Sequence, residues 1–250
     1  MGFEISKRQA LTNHTIDPLP QHVGIIMDGN GRWANQKAFP RIQGHTNATK
    51  AVREAVEGAA EFGIKALTLF AFSTENWKRP KAEVSGLMQL FEKYLKDELP
   101  GLMKNGIKLI TIGNRDRLPK KVLVPLDRCI EETKNNSGMT LCLAVDYGAR
   151  DELVQATRSL VKQALAGQLK PDQIDEARVE KELFTAGLPE LDLIIRTSGE
   201  LRLSNFLLWQ AAYAEFYFTP VLWPDFNRAE LEKALIDFSK RSRRVGAVYG

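Results

Sequence analysis

The stretch "HVGIIMDGNGRWANQ", residues 22–36, decides the fold. An apolar run ends abruptly at Asp28, two glycines flank Asn30, and Arg32 and Trp33 follow. A short, continuous apolar run predicts a strand covered on both faces, as in a parallel sheet. Glycines directly after such a strand let the backbone approach a phosphate closely. Asp28, at the head of the loop, would repel that phosphate unless a cation accompanied it.

Outward from this stretch the same kind of run recurs at 66–72, 107–113, 139–145, 192–197 and 215–219. Helical spacing fills the gaps. Ala51, Val52, Ala55, Val56, Ala59 and Phe62 form one apolar face over 46–62, closed by Gly63, and a wider stripe covers 83–103. Further helices are predicted over 120–135, 150–166, 176–184, 204–213 and 228–243. Strands alternating with crossovers this long imply an α/β fold: a single domain with a central, mostly parallel six-stranded sheet flanked by helices. Residues 1–21, polar and ending in "DPLPQ", read as a mobile leader, and 22–250 as the domain proper. Ligands of such sheets gather at the carboxyl ends of the strands. Asp28, "STENWKR" (73–79) and "RTSGELRLS" (196–204) all fall there.

The 250 residues, 44% of them hydrophobic, suffice for one sizeable core. Nothing resembles a signal peptide, and no apolar run approaches the ~20 residues of a membrane span. Cys129 and Cys142 are isolated, without metal spacing, which suits a reduced cytoplasmic setting. His14, His22 and His45 form no metal-ligand pattern either. Part of the +4 net charge sits in "KRSRR" (240–244), which reads either as a solvated helix end or as a patch for an anionic partner.

"GNGRWA" formally matches the dinucleotide fingerprint G-x-G-x-x-A. Against that reading, Arg32 and Trp33 crowd the turn, the unit is too long, and no acid closes a second strand where a ribose would need it. No G-x-x-x-x-G-K-[ST] occurs. Two readings of the loop remain: a strand-to-helix turn capped by Asp28 or Asn30, or a diphosphate site. Arg32, Arg41, His45, Arg79, Arg196 and Arg202 cluster near strand ends and favour the second, since the planar guanidinium fork suits phosphate oxygens. Asp28 then has a role as ligand of a Mg²⁺ that travels with diphosphate, with Glu215 as a candidate second carboxylate.

"IIMDGNGRWA", "FAFSTENWKRP" and "DLIIRTSGELRLSNFLLWQAAYAEFYFTPVLWPDF" resemble the signature blocks of the cis-prenyltransferases, most closely the bacterial undecaprenyl diphosphate synthases. The similarity runs from about residue 20 to the C-terminus, and the aspartate-rich motifs of the all-trans enzymes are missing. The resemblance implies a Mg²⁺-dependent homodimer that extends farnesyl diphosphate with isopentenyl diphosphate units, each adding a cis double bond. Asp28 is implied as the essential acid and, with Glu215, as metal ligand. Gly29, Asn30, Gly31, Arg32 and Trp33, with Arg41 and His45, are implied to hold the allylic diphosphate. Arg196, Arg202, Leu203 and Ser204 are implied for isopentenyl diphosphate, and Ser73, Thr74, Glu75, Asn76, Trp77 and Arg79 for a loop that closes over both. Asn76 matches a residue assigned as proton acceptor, but an amide is too weak a base to act alone, so its expected part is to orient a hydrogen bond.

The growing tail needs an apolar tunnel, for which the 83–103 stripe and the small Ala71 are the candidates. A long product of undecaprenyl class, a cell-wall lipid carrier, is the expectation, with a shorter cis-prenyl product as the alternative. "RRVG" (243–246) looks like the family's R-x-G ending, which reaches the neighbouring subunit's site. Asp146 and Ala149 stand where the family more often has asparagine and glycine, and Leu201 where some relatives carry histidine. A non-catalytic partner subunit of the same fold is a rival reading, weakened by the full active-site set. A nucleic-acid binder lacks any recognised motif. The expected location is cytoplasmic, with at most peripheral, transient membrane contact for product release.

Overall fold

The structure, a computed structural model, describes residues 16–241. Six strands, β1 (His22–Ile26), β2 (Ala66–Ser73), β3 (Lys108–Ile112), β4 (Thr140–Tyr147), β5 (Leu193–Arg196) and β6 (Glu215–Phe218), form one sheet in the order β3-β4-β2-β1-β5-β6. Every neighbouring pair is parallel, so the sheet is parallel throughout. From β1 the chain builds toward β3, then crosses back to add β5 and β6. The reversal puts a crevice at the carboxyl ends of β1 and β5, the usual ligand position in such sheets.

Both faces of the sheet's central strands are covered, which is why those strands read as nearly unbroken apolar runs. On one face Val23, Ile25, Leu67, Leu69, Leu143 and Ile195 pack under α2 (Arg41–Phe62), α3 (Lys81–Lys104), α4 (Lys120–Thr133) and α7 (Arg228–Ser239). On the other, Ile26, Cys142, Ala144 and Ile194 meet α5 (Ala149–Leu165) and the 203–214 segment through Ala149, Phe206 and Leu207. Each fully buried leucine or isoleucine among them contributes about 1.5–3 kcal/mol. α1 (Asn30–Gln36) lies beside α2, and α6 (Glu176–Glu182) beside α5.

Three departures from the sequence reading have physical causes. α2 begins at Arg41 after Pro40, a turn earlier than its apolar pattern, because Gly44 presses on α1: a Cβ there would lie 2.1 Å from the Asn30 carbonyl oxygen. The helix expected over 204–213 is instead a series of turns ending in a short 3-10 segment, Gln210–Tyr213. Ser204, Asn205 and Leu207 take positive φ (49°, 64° and 45°), which no α-helix accommodates. Residues 16–21 are docked rather than loose: Ile16 and Leu19 pack on the core, and the Gln21 N–H donates to Asp192. The rest of the leader and the 243–246 ending lie outside the described residues. Gly63 does end α2, in the left-handed conformation at φ 86°.

Candidate active site

Asp28 leaves β1 at the crevice and is fastened from three sides. Its backbone N–H donates to the Thr197 hydroxyl (2.9 Å) and its Oδ1 accepts the Gly29 N–H (2.7 Å). Its Oδ2 accepts from Arg196 Nη2 at 2.8 Å. Burial alone would raise this carboxyl. The Arg196 hydrogen bond and charge, the Gly29 N–H and the Arg32 charge outweigh burial and hold it below the ordinary carboxylate value. The acid is therefore ionised and faces guanidinium, which resolves its odd place in a phosphate-type loop. Arg196, 3% exposed, also donates to Ser204 Oγ (2.7 Å) and to the Arg202 carbonyl, while its Nε is buried without a partner. Arg32 donates to the Ser198 carbonyl (2.9 Å) and hydroxyl (2.5 Å), and lies 3.1 Å from Glu200. The Arg202 side chain pairs with the same Glu200.

Gly29 precedes α1 at φ 106°, with its α-hydrogen side against Leu222 and Ser198, so only glycine fits. The N-cap of α1 is Gly29, which has no side chain to offer, and Asp28 Oδ1 holds the Gly29 N–H, so Asp28 caps the first amide of the turn as well as facing Arg196. Asn30 donates through Nδ2 to His45 Nδ1 (3.2 Å), which places the proton of neutral His45 on Nε2. That Nε2 and Asn30 Oδ1 are both buried without a hydrogen-bond partner. Burial first, then the charges of Arg79 and Arg41, pull His45 down to about 4 against the opposing pull of Glu83. Glu83 Oε1 collects Arg79 Nη1 (3.0 Å), Arg41 Nε (3.3 Å) and His45 Nε2 (3.9 Å). One anionic oxygen is already the focus of three cationic or donor groups.

The loop after β2 is a 3-10 turn, Thr74–Lys78, that braces itself. Ser73 N–H donates to Asn76 Oδ1 (3.0 Å), which occupies one of the two lone pairs of that oxygen and fixes the direction of the amide. Glu75 accepts from Asn205 (3.0 Å), and the Trp77 indole N–H donates to Asp146 (2.8 Å), a fully buried carboxylate that also grips Arg117. Glu75 and Trp77 thus position the loop. Asn76 and Arg79 line a cleft.

The cleft has a polar mouth and an apolar interior. Asn30, His45, Asn76 and Arg79 stand at the mouth, and Val52, Leu69, Ala71, Leu87, Phe91 and Tyr94 are among the inner lining. Ala71 is the extra residue of a β-bulge: Phe70 pairs with Ala144 and Phe72 with Val145, leaving Ala71 unpaired between them. The bulge keeps Phe72 in the core while exposing the small Ala71 to the cleft. Both the 83–103 stripe and Ala71 therefore line the space expected of a tunnel.

Three expected site residues stand elsewhere. Trp33 is buried against Phe39 and donates to Asp225 (2.8 Å), so it is a packing residue. Leu203 packs on the Phe206 side of the sheet. Glu215 opens β6 at its amino end, in register with Leu193, whereas Arg196 pairs with Phe218 at the other end. Three residues of strand, about 10 Å, keep Glu215 from Asp28 within one chain, and Arg241 holds its carboxylate at 2.7 Å. Sequence reasoning missed Glu83, Glu200 and Ser198, which tie down the site's arginines. Glu200 and Ser198 lay inside the quoted "RTSGELRLS", but nothing local tells a partner from a surface acid.

Among the described residues no cluster of three acidic, histidine or cysteine side chains could hold a metal by itself. One half-exposed, ionised carboxylate beside guanidinium groups does fit a Mg²⁺ that arrives on phosphate oxygens, since that ion keeps only one or two protein carboxylates in such sites.

Residues 26–246 match the family model described as "Putative undecaprenyl diphosphate synthase". The chain is 48% identical over 245 residues to an isoprenyl transferase of Streptococcus thermophilus, covering 96% of this chain and 98% of that protein. An isoprenyl transferase of Bacillus anthracis is 47% identical over 92% of this chain and 89% of its own length. Among solved structures, lavandulyl diphosphate synthase from Lavandula x intermedia, in complex with dimethylallyl diphosphate, superposes with a TM-score of 0.89 at 38% identity, over 92% of this chain and 99% of that one. A probable undecaprenyl diphosphate synthase from Campylobacter jejuni gives 0.76 at 34% identity, over 91% and 99%. The family model over most of the chain and relatives this similar over nearly their whole length show that the chain belongs to the undecaprenyl diphosphate synthase family of prenyltransferases.

Proposed function

We propose that this prenyltransferase lengthens an allylic diphosphate, farnesyl diphosphate by preference, through successive cis additions of isopentenyl diphosphate, with Mg²⁺ as cofactor. The observation that carries the reading is the junction at the mouth of the cleft, where the groups converging on Glu83 adjoin a lining of apolar side chains. That junction matches a molecule with a diphosphate head and a hydrocarbon tail. The solved relative in complex with dimethylallyl diphosphate supports a diphosphate as the ligand class.

In this reading Asn30, His45, Arg41 and Arg79 take the allylic head, and the unpartnered His45 Nε2–H donates to one of its oxygens. The first-turn N–H groups of α1 have no partners within the helix and add to the pull on anionic oxygens. Arg196, Arg202 and Ser204 take the head of isopentenyl diphosphate, and Arg32, held by Ser198 and Glu200 and 3.9 Å from Asp28, adds its charge to the allylic side. Asp28 holds Mg²⁺, which on binding supplies Lewis-acid relief of charge building on the departing diphosphate. The guanidinium groups stabilise the same charge without reorganising, most strongly once the loop carrying Asn76 excludes water. Asn76 is an amide and too weak a base to keep a proton, so it orients a hydrogen bond and the proton lost after each addition goes to a diphosphate oxygen or water.

We also propose a homodimer, supported by the outer edge of β6 and by Tyr213, 71% exposed. Two free, buried cysteines support a reduced, cytoplasmic site of action, and the apolar product supports transient contact at a membrane surface. The deciding experiment incubates the purified chain with farnesyl diphosphate and labelled isopentenyl diphosphate, with Mg²⁺ and with excess chelator. Label should pass into organic-soluble polyprenyl product only with the metal. No product with Mg²⁺, or equal product under chelator, would overturn the reading.

A further inference from the structure

Two bulges lie side by side on the β2–β4 pair, and only one of them opens on the cleft. Phe72 pairs with Val145 and Ser73 with Tyr147, so Asp146 is an extra residue on β4, as Ala71 is on β2. Asp146 takes φ 50°, a left-handed conformation that residues other than glycine rarely adopt. Such strain persists only where the surroundings hold it. Here they do. The carboxylate is fully buried, accepts the Trp77 indole N–H at Oδ1 (2.8 Å), and pairs with Arg117, whose Nε lies 2.9 Å from Oδ2. The Asp146 carbonyl accepts the Asn114 N–H (3.1 Å). Phe72 meets the Trp77 ring edge-on at 5.0 Å between centroids, and the Arg117 guanidinium stands 5.5 Å from the ring centroid. Asp146 itself does not line the cleft, whereas Asn76 and Arg79, on either side of Trp77 in the chain, do.

We infer that Asp146 is a positioning residue for prenyl transfer: its bulge aims one carboxylate oxygen at the Trp77 indole N–H and so fixes Asn76 and Arg79 at the mouth of the cleft. This rests on the reading of Asn76 and Arg79 as groups that face the substrates. The tether requires an acceptor at position 146, and asparagine supplies one while tolerating positive φ. Glycine suits φ 50° without strain but supplies none. Arg117 is half-exposed, so it can turn to water once the carboxylate is gone.

The test combines turnover of the purified full chain with fluorine NMR after its four tryptophans are replaced by fluorotryptophan, the Trp77 signal being the one missing from Trp77→Phe. In the parent and in Asp146→Asn that signal should be single and sharp. In Asp146→Gly it should broaden or split while the other signals stay in place. Incorporation of isopentenyl diphosphate should fall about tenfold to a hundredfold in Asp146→Gly, as for a small misplacement of a binding group, and stay within about twofold of the parent in Asp146→Asn. Trp77→Phe should lose as much as the glycine variant, and adding Asp146→Gly to it should lose no more. Parental turnover in Asp146→Gly, an asparagine variant as slow as the glycine one, or an undiminished effect of Asp146→Gly on top of Trp77→Phe overturns the inference. Asp146→Ser, too short to reach the indole, answers the same question should the glycine variant not fold. If the Trp77 signal behaves as stated but no chain makes polyprenyl product, the tether stands and the elongation reading falls.

Discussion

The two ends of β1 treat buried polar groups in opposite ways. At the amino end, His22 donates through Nδ1 to the Pro189 carbonyl (2.9 Å), accepts at Nε2 from the Thr68 hydroxyl (2.7 Å), and shares Asp192 with Gln21 through backbone N–H groups. Every ring position is answered by protein. Beyond the carboxyl end, Arg196 Nε, Asn30 Oδ1 and His45 Nε2 are buried and unanswered. A buried polar atom without a partner is costly, so native proteins keep few of them. The first network completes itself and holds the fold; the second leaves two donors, Arg196 Nε and His45 Nε2, and one acceptor, Asn30 Oδ1, open.

Mutations at the two ends should separate accordingly. The largest effect belongs to Asp28→Ala. Arg196 keeps its bonds to Ser204 and the Arg202 carbonyl, so the fold should survive by circular dichroism, while incorporation of isopentenyl diphosphate falls at least about a thousandfold. Parental turnover would erase the distinction between the ends. His22→Ala should cost about 2–3 kcal/mol in a denaturant melt, because it strands Thr68 and the Pro189 carbonyl, with KM unchanged. A raised KM at this site would mean that the amino end also serves substrate. His45→Ala should do the reverse: stability close to parental and KM for the allylic substrate up about tenfold, the worth of one hydrogen bond to a charged group.

The smallest effect is a slope with pH. Burial lowers both histidines, His45 to about 4. The unfolded chain binds protons on them as pH falls through about 6.5, whereas the folded chain does not, so stability falls between about pH 6.5 and 4. His45→Gln should flatten that slope by at most about 1.4 kcal/mol per pH unit, read from melts at stepped pH. A bound diphosphate supplies the negative charge that His45 lacks and raises its affinity for a proton, so saturating ligand should flatten the slope in the parent but not in the variant.

The sheet was legible in sequence because the faces of its central strands are covered, which leaves nearly unbroken apolar runs at most strands. The long helices and Gly63 were legible for a similar reason, since burial of one face imposes a period. α1 and the turns at 204–209 were not. They are shaped by contacts from distant residues, Gly44 on Asn30 and Arg196 on Ser204, that overrule local preference. The site's cations were visible as residue types at strand ends, and Ala71 as a small residue in a bulky run. Their acidic partners were not, because Glu83 and Glu200 look like any surface acid until the chain is folded. Glu215 was set with Asp28 as a second carboxylate for the same ion and by the resemblance; the strand register puts it at the opposite end of the sheet within one chain.

The contact of Gly44 on the Asn30 carbonyl has a mechanical consequence. Backbone rests on backbone there, with no rotamer to adjust, so α1 and α2 form a fixed jaw. α3 meets that jaw through side chains, as where Ile42 reaches Gly86. Whatever room a lengthening hydrocarbon demands must come from the side that can yield, and the burden of accommodation falls on α3.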